Sequence, residues 1–275
     1  MRDSLDTNRL LDQATAVFER TIPVISDEPL RCGVDLGTAS IILTVLNSAG
    51  EPVACEMQPC QVARDGLVVD YIGAIQITRK LADRLEQRLG RRIVNAAIAI
   101  PPGTNQANSG THRHIVEAAG MEVTAVLDEP TAANAVLNVQ NGAVVDIGGG
   151  TTGLAVFRNG EVIYVADEAT GGIHMSLVLM GRYKIDFDAA EAFKTDVAKH
   201  KEVRSAVLPV VEKMATIVQR HIEPFHVEEV WIVGGTCALT GIEEEFTRVL
   251  DIGTRKPTCP MMVTPMGIAL NCVPG

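Results

Sequence analysis

Leu10, Leu11, Ala14, Val17 and Phe18 recur at helical spacing, with Asp12, Gln13, Glu19 and Arg20 on the other faces, which predicts an amphipathic helix at the start of the chain. Pro23 and the stretch Asp27-Glu28-Pro29 stop it and read as a linker. From Arg31 the pattern changes to apolar strand, interrupted by Gly33-Val-Asp35-Leu-Gly37-Thr38, resumed over Ile41–Leu46 and turned back at Asn47-Ser-Ala-Gly50. The same design returns later. Val144-Val-Asp146-Ile-Gly148-Gly149-Gly150-Thr151-Thr152 opens a strand that runs through Leu154 to Phe157 and turns at Arg158-Asn-Gly160. Two hairpins with an acid and a Gly-Thr turn at matching places predict an internal duplication.

Between the hairpins the pattern predicts a helix over Ile75–Leu89 closed by Gly90, a strand over Asn95–Ile100, a helix over Thr111–Ala119 closed by Gly120, and a strand over Glu122–Leu127. Glu129-Pro130-Thr131 then starts a helix with Pro in its first turn. After the second hairpin come a further hairpin, a helical region at Ala189–Phe193, a long helix over Val203–His221 and the strand Glu229–Val233. Gly234-Gly235-Thr236, a short helix and a short tail follow. This is an α/β chain with two lobes. The expected divisions are an N-terminal helix and linker at 1–29, a first lobe at 30–140, a second lobe at 141–252, and a return toward the first lobe at 253–275.

Composition narrows the function. Of 275 residues, 34 are acidic and 24 basic, for a formal net charge of -10. Nucleic acid is bound largely through Lys and Arg, so it is an unfavourable partner for this chain. No stretch reaches the ~18 apolar residues of a membrane span, and the acidic N-terminus is unlike a secretory signal. A cytoplasmic setting is expected, with the six cysteines reduced and acting as small hydrophobes. His112 and His114 sit two apart on a helix, where their side chains diverge and cannot share a metal.

The hairpins carry the chemistry. Backbone N–H groups beside Gly37, Gly148, Gly149 and Gly150 can approach phosphate oxygens without a Cβ in the way, and the hydroxyls of Thr38, Thr151 and Thr152 are additional donors. Asp35 and Asp146 would repel phosphate directly but can hold Mg²⁺ through its waters. A duplicated pair of such hairpins suits a polyphosphate and its metal.

These motifs resemble the actin/DnaK/sugar-kinase ATPase superfamily. The segments at Gly33–Thr38 and Asp146–Thr152 look like its two phosphate motifs, Leu127–Ala133 is similar to the first connecting helix, and Ile232–Thr236 to the adenosine motif. Ala169-Thr170-Gly171-Gly172 resembles the loop that wraps the phosphates. Together with Arg64-Asp65-Gly66, Pro101–Thr104, Ala166–Gly172, Glu212–Ala215 and Gln219–Glu223, the set is similar to the EutJ family, DnaK-like proteins of ethanolamine utilisation. The resemblance implies an actin-like ATPase fold, two duplicated ribonuclease-H-like lobes with a nucleotide cleft between them, and ATP or ADP with Mg as ligands. It implies that Asp35 and Asp146 anchor hydrated Mg²⁺, that Glu129 orients the attacking water, that the Gly and Thr residues above together with Gly171 and Gly172 meet phosphates, and that adenosine lies against Gly234 and Gly235. It further implies a chaperone or assembly role, with ethanolamine ammonia-lyase or a microcompartment shell protein as client.

The chain departs from the DnaK pattern at three places. No lysine occupies residues 31–79, Gly153 stands where a second aspartate is expected, and Ala238 stands where an arginine packs on adenine. Each removes charge or contact near the reacting centre, so at most a slow ATPase is expected. The short stretch after Gly235 implies that client binding uses the nucleotide-binding body or the N-terminal helix. Two further readings stay open: a reactivating factor for a cobalamin-dependent lyase, and an MreB-like filament-forming protein. The N-terminal helix has two readings as well. It either packs on its own lobe or docks onto a shell or lumen partner.

Overall fold

A computed structural model describes residues 4–18, 20–24, 28–64, 67–104 and 106–274; Glu19, Asp27, Asp65 and Gly66 lie outside the described residues. The chain opens with α1 (Ser4–Ala16), β1 (Arg31–Leu36), β2 (Ser40–Leu46), β3 (Pro52–Pro59), a two-residue ribbon of β4 (Ala63–Arg64) and β5 (Leu67–Val68), and α2 (Tyr71–Leu89). It continues with β6 (Asn95–Ile100), α3 (Gln106–Ala118), β7 (Glu122–Asp128) and α4 (Glu129–Leu137). Next come β8 (Gly142–Ile147), β9 (Thr152–Arg158), β10 (Glu161–Glu168), α5 (Gly172–Tyr183), α6 (Phe187–Thr195) and α7 (His200–Ile222). The last elements are β11 (Glu229–Val233), α8 (Ile242–Leu250), β12 (Thr254–Arg255) and α9 (Val263–Leu270). Two compact units result, one of residues 1–138 with 262–275 and the other of residues 139–261.

The duplication read from the hairpins extends to whole sheets. One unit holds the order β3-β2-β1-β6-β7 and the other β10-β9-β8-β11-β12. In both, the first three strands pair antiparallel and the remaining two join in parallel. Asp35 and Asp146 each occupy the fifth position of a six-residue first strand. Ile41–Leu46 is buried throughout, and β8 is buried along its whole length. Strands covered on both faces read as continuous apolar runs and lose the polar alternation of a half-exposed sheet.

Helix boundaries follow local chemistry. Asp70 caps α2 by accepting from the Gly73 N–H at 2.9 Å, and Gly90 ends it in the left-handed conformation. Asp128 caps α4 by accepting from the Thr131 N–H at 2.9 Å. The first unit's core gathers Val34, Leu43, Leu81, Leu85, Ile98 and Ile115. That of the second gathers Ile147, Leu154, Met175, Val211, Met214 and Phe246.

Two helices differ from the sequence expectation. Residues 172–183 form α5, which the pattern missed because Leu177 is 52% exposed while Ser176 is buried, blurring the helical period. The expected short tail contains α9, in which seven of the eight residues, Val263 through Ala269, are buried, so no amphipathic pattern marks it.

The N-terminal helix packs on its own unit. Leu11, Ala14 and Val17 are fully buried, and α1 lies against β3, α4 and α9. Thr7 Oγ1 donates to Val136 O, and Cys55 N donates to Val17 O at 3.2 Å. Arg88 then clamps the exit of the helix, donating to Val17 O, Arg20 O, Thr21 Oγ1, Cys55 O and Glu56 Oε1. The expected linker is likewise pinned: Ile22 N donates to Val53 O, Arg91 donates to Glu28 O, and Ser48 donates to the Glu28 carboxylate. The apolar stripe is therefore consumed inside the unit, which corrects the reading of it as a docking face for a shell or lumen partner.

At the α4–α9 contact, a Cβ on Gly267 would lie 1.8 Å from the Ala132 carbonyl oxygen. Neither backbone can yield without moving its helix. Gly267→Ala is expected to destabilise the protein by ~1–3 kcal/mol, read as a lowered urea midpoint.

Candidate functional site

Each candidate residue sits at the end of a strand, in the turn that follows it, or at the start of a helix. In the first unit, Asp35 is half-buried on β1, paired with Ile42, and Gly37 begins the turn that leads through Thr38 into β2. A Cβ on Gly37 would stand 3.9 Å from Asp35 Oδ1, so this turn runs beside the carboxylate. Glu129 is half-buried at the first position of α4, where a carboxylate also suits the positive end of the helix.

In the second unit the candidate loops are tied into one body. Gly172 N donates to Gly148 O at 3.0 Å, Ile173 N to Gly149 O at 2.9 Å, and Thr236 Oγ1 to Gly148 O at 2.7 Å. The turn closes on itself through Gly148 N to Thr151 O at 3.0 Å. A Cβ on Gly171 would come within 2.7 Å of both the Gly148 and Gly149 carbonyl oxygens, so only glycine permits this approach. Gly234 has φ +92, and a Cβ there would stand 2.3 Å from Asp146 Oδ1. The structure thus brings Asp146, Gly148, Gly149, Thr151, Gly171, Gly172, Gly234 and Thr236 together; Thr236 was not singled out, although it directly follows the Gly-Gly pair. Gly235 starts the short helical turn after β11, and Gly150 stands in the β8–β9 turn.

These hydrogen bonds orient the turn. In a trans peptide the carbonyl and the following N–H point in opposite directions. With the Gly148 and Gly149 carbonyls directed at α5 and Thr236, the N–H groups of Gly149 and Gly150 face away from them, side by side. Successive N–H groups turned to one side form a concavity suited to an anion. Thr152 is fully buried and its hydroxyl donates to Thr170 O at 2.7 Å, while the Thr151 hydroxyl donates to Asp167. Both hydroxyls shape the loop from inside. Lys194 caps the first turn of α5, its three protons directed to Gly172 O, Ser176 Oγ and Glu191 Oε1.

Asp167, on β10, lies within the Ala166–Gly172 segment but is not among the candidate site residues that the motifs supply. Burial pushes its carboxyl up from the ordinary 3.8 to about 6; the Thr151 hydroxyl opposes this, and the charges of Glu168 and Asp146 add to it. Its Oδ1 is shut off from solvent without a hydrogen-bond partner among the described residues, as is Thr170 Oγ1. An acid carboxylate with an orphaned oxygen, a nearly buried Asp146 and a glycine-lined anion turn together fit a magnesium–phosphate group. Among the described residues, no group of three or more His, Cys, Asp or Glu side chains forms a direct metal cage. The donor set therefore suits an ion that keeps its waters. Cys32, Cys55, Cys237 and Cys272 are buried, and burial raises the thiols of Cys32, Cys237 and Cys272.

Two five-stranded sheets of one topology, each opening with an acid and a glycine turn, define an actin-like ATPase fold. The family model described as "Type IV pilus assembly protein PilM" matches residues 111–258. The ethanolamine utilization protein EutJ of Salmonella typhimurium is 44% identical over 260 residues, 94% of this chain and 91% of that one. A crystal structure of ethanolamine utilization protein EutJ from Carboxydothermus hydrogenoformans superposes with a TM-score of 0.92 at 46% identity, over 97% of this chain and 98% of that one. A crystal structure of MreB 5 of Spiroplasma citri bound to AMPPNP shares the fold, with a TM-score of 0.69 at 17% identity over 87% of this chain and 94% of that one. The chain belongs to the EutJ family of ethanolamine utilisation. No helix among the described residues is long and apolar enough to cross a membrane.

Asp167 has a measurable signature. Between about pH 4 and about pH 6 the folded chain holds a proton at Asp167 that the unfolded chain has released, so folding stability falls as pH rises through that window. Asp167→Asn is expected to remove this part of the decline and to be more stable than the parent at neutral pH. Urea midpoints from about pH 4 to about pH 7 check this; parallel curves for the two proteins would contradict it.

Proposed function

We propose that the chain is an ATP- or ADP-binding chaperone or assembly factor of ethanolamine utilisation, with Mg²⁺ as the accompanying ion. The observation that carries the nucleotide reading is the orientation of the 148–151 turn. Its carbonyls are drawn toward α5 and Thr236, leaving the Gly149 and Gly150 N–H groups turned together to the other side, an arrangement that suits an anion. In this reading Thr38 and Gly37 supply the matching turn of the first unit, Gly171 and Gly172 hold the phosphate loop in place, and adenosine lies against Gly234 and Gly235. Asp35 and Asp146 hold the ion through its waters, and it supplies charge neutralisation for the phosphates. Glu129 orients the attacking water.

Hydrolysis is slow in this reading. Residues 31–79 contain no lysine to meet the γ-phosphate, and Lys194 spends its protons on α5. Family membership supports a role in ethanolamine utilisation. We infer that the client is ethanolamine ammonia-lyase or a microcompartment shell protein, that the protein works in association with that compartment, and that the nucleotide state switches the surface offered to it.

Calorimetric titration with ADP and Mg²⁺ tests the site. Gly149→Val adds a branched side chain to the anion turn and is expected to abolish binding, and equal affinity in the two proteins would reject the site. Glu129→Ala is expected to leave binding intact and to lower single-turnover hydrolysis by about 100-fold or more, the scale of a lost general base. Rapid hydrolysis by the unmodified protein alone would defeat the slow-ATPase reading. A rise in light scattering on adding ATP and Mg²⁺ would favour a polymer over a monomeric switch.

A further inference from the structure

Strand register in the second unit contains a feature that the first unit lacks. Asp146 on β8 lies opposite Gly153 on β9, and Gly153 lies opposite Asp167 on β10. Directly opposed residues on neighbouring strands project to the same face. Asp146, Gly153 and Asp167 therefore form one row across three strands, with the middle place empty of side chain. The equivalent row in the first unit is Asp35, Ile42 and Met57. The first acid recurs in both copies, and apolar side chains follow it in the first unit. Only the second unit replaces them with Gly and Asp.

That replacement is unfavourable for packing. Asp167 Oδ1 is closed to solvent and lacks a donor among the described residues, and Thr170 Oγ1, on a residue 2% exposed, lacks a partner as well. A buried carboxylate oxygen in this state costs stability until a cation or a proton meets it. Lys194 does not serve, because its three protons are directed elsewhere. Two strand spacings separate the Cα atoms of Asp146 and Asp167 by about 9–10 Å. That gap suits an ion that keeps its water shell better than one bound directly by both acids.

We propose that Asp167 is the second carboxylate of a divalent-cation site whose first is Asp146, the Asp167 side chain turning to bring its closed oxygen onto the waters of the hydrated ion, across Gly153 from Asp146. The proposal deepens the reading of these loops as a magnesium–nucleotide site and rests on it for the identity of the co-ligand. The carboxylate pair can be tested without nucleotide.

The probe is Mn²⁺ alone, titrated into the full chain and followed by the electron paramagnetic resonance of the free ion, then repeated with ADP. Asp167→Asn is expected to weaken Mn²⁺ binding by about tenfold or more, as loss of an outer-shell ligand does. Gly153 lies in a strand and outside the left-handed region, so it accepts a side chain without backbone strain. The double variant Gly153→Asp with Asp167→Asn returns the charge one strand away and is expected to recover most of the affinity. Unchanged Mn²⁺ affinity in Asp167→Asn would overturn the proposal, as would a double variant no better than the single one. If the unmodified chain fails to bind ADP while Asp167→Asn still loses Mn²⁺, the nucleotide reading falls and the carboxylate pair stands.

Discussion

Backbone approaching backbone where no Cβ intervenes is the constraint on which both units depend. Gly267 lets α9 settle against the Ala132 carbonyl of α4, and Gly171 lets the start of α5 reach the Gly148 and Gly149 carbonyls. In the first case the contact joins the end of the chain to the body of its unit. In the second it sets the direction of a turn, and with it the direction of every N–H group the turn presents. Close packing makes such contacts intolerant of a single added carbon, because peptide groups cannot change rotamer to escape.

The same economy of space explains the electrostatics. Hydrogen bonds consume the turn carbonyls, the Thr152 hydroxyl and the Lys194 protons. The carboxylate of Asp167 is left with one partner, Thr151, and an oxygen that has none among the described residues. In a well-satisfied neighbourhood, an orphaned acid oxygen indicates where something from outside the chain belongs. Duplication sharpens the point. The first unit, built on the same topology, fills the corresponding row with Ile42 and Met57.

The N-terminal helix shows how burial removes one of two readings that a pattern leaves open. An apolar stripe on a short helix needs a surface, and periodicity is silent on whose surface that is. Leu11, Ala14 and Val17 find theirs within the first unit, and the Arg88 guanidinium ties the following residues to the edge of the sheet.

Local pattern by itself determined the hairpin pair, the acid at the end of each first strand, the glycine turns and most helices, because propensity, capping and turn chemistry act over a few neighbouring residues. It also carried the resemblance to EutJ, since those motifs are contiguous. It missed α5, whose exposed Leu177 and buried Ser176 disguise the period, and it marked the return at 253–275 without a helical pattern for α9, which is buried on all sides. Thr236 and Asp167 lie inside those motifs, but their roles emerge only with the tertiary structure. Thr236 matters through a carbonyl far away in the chain, and Asp167 through a register that runs across β8, β9 and β10. Register depends on which strands pair and where each hairpin turns, so the row of two acids about a glycine exists only once the sheet is built.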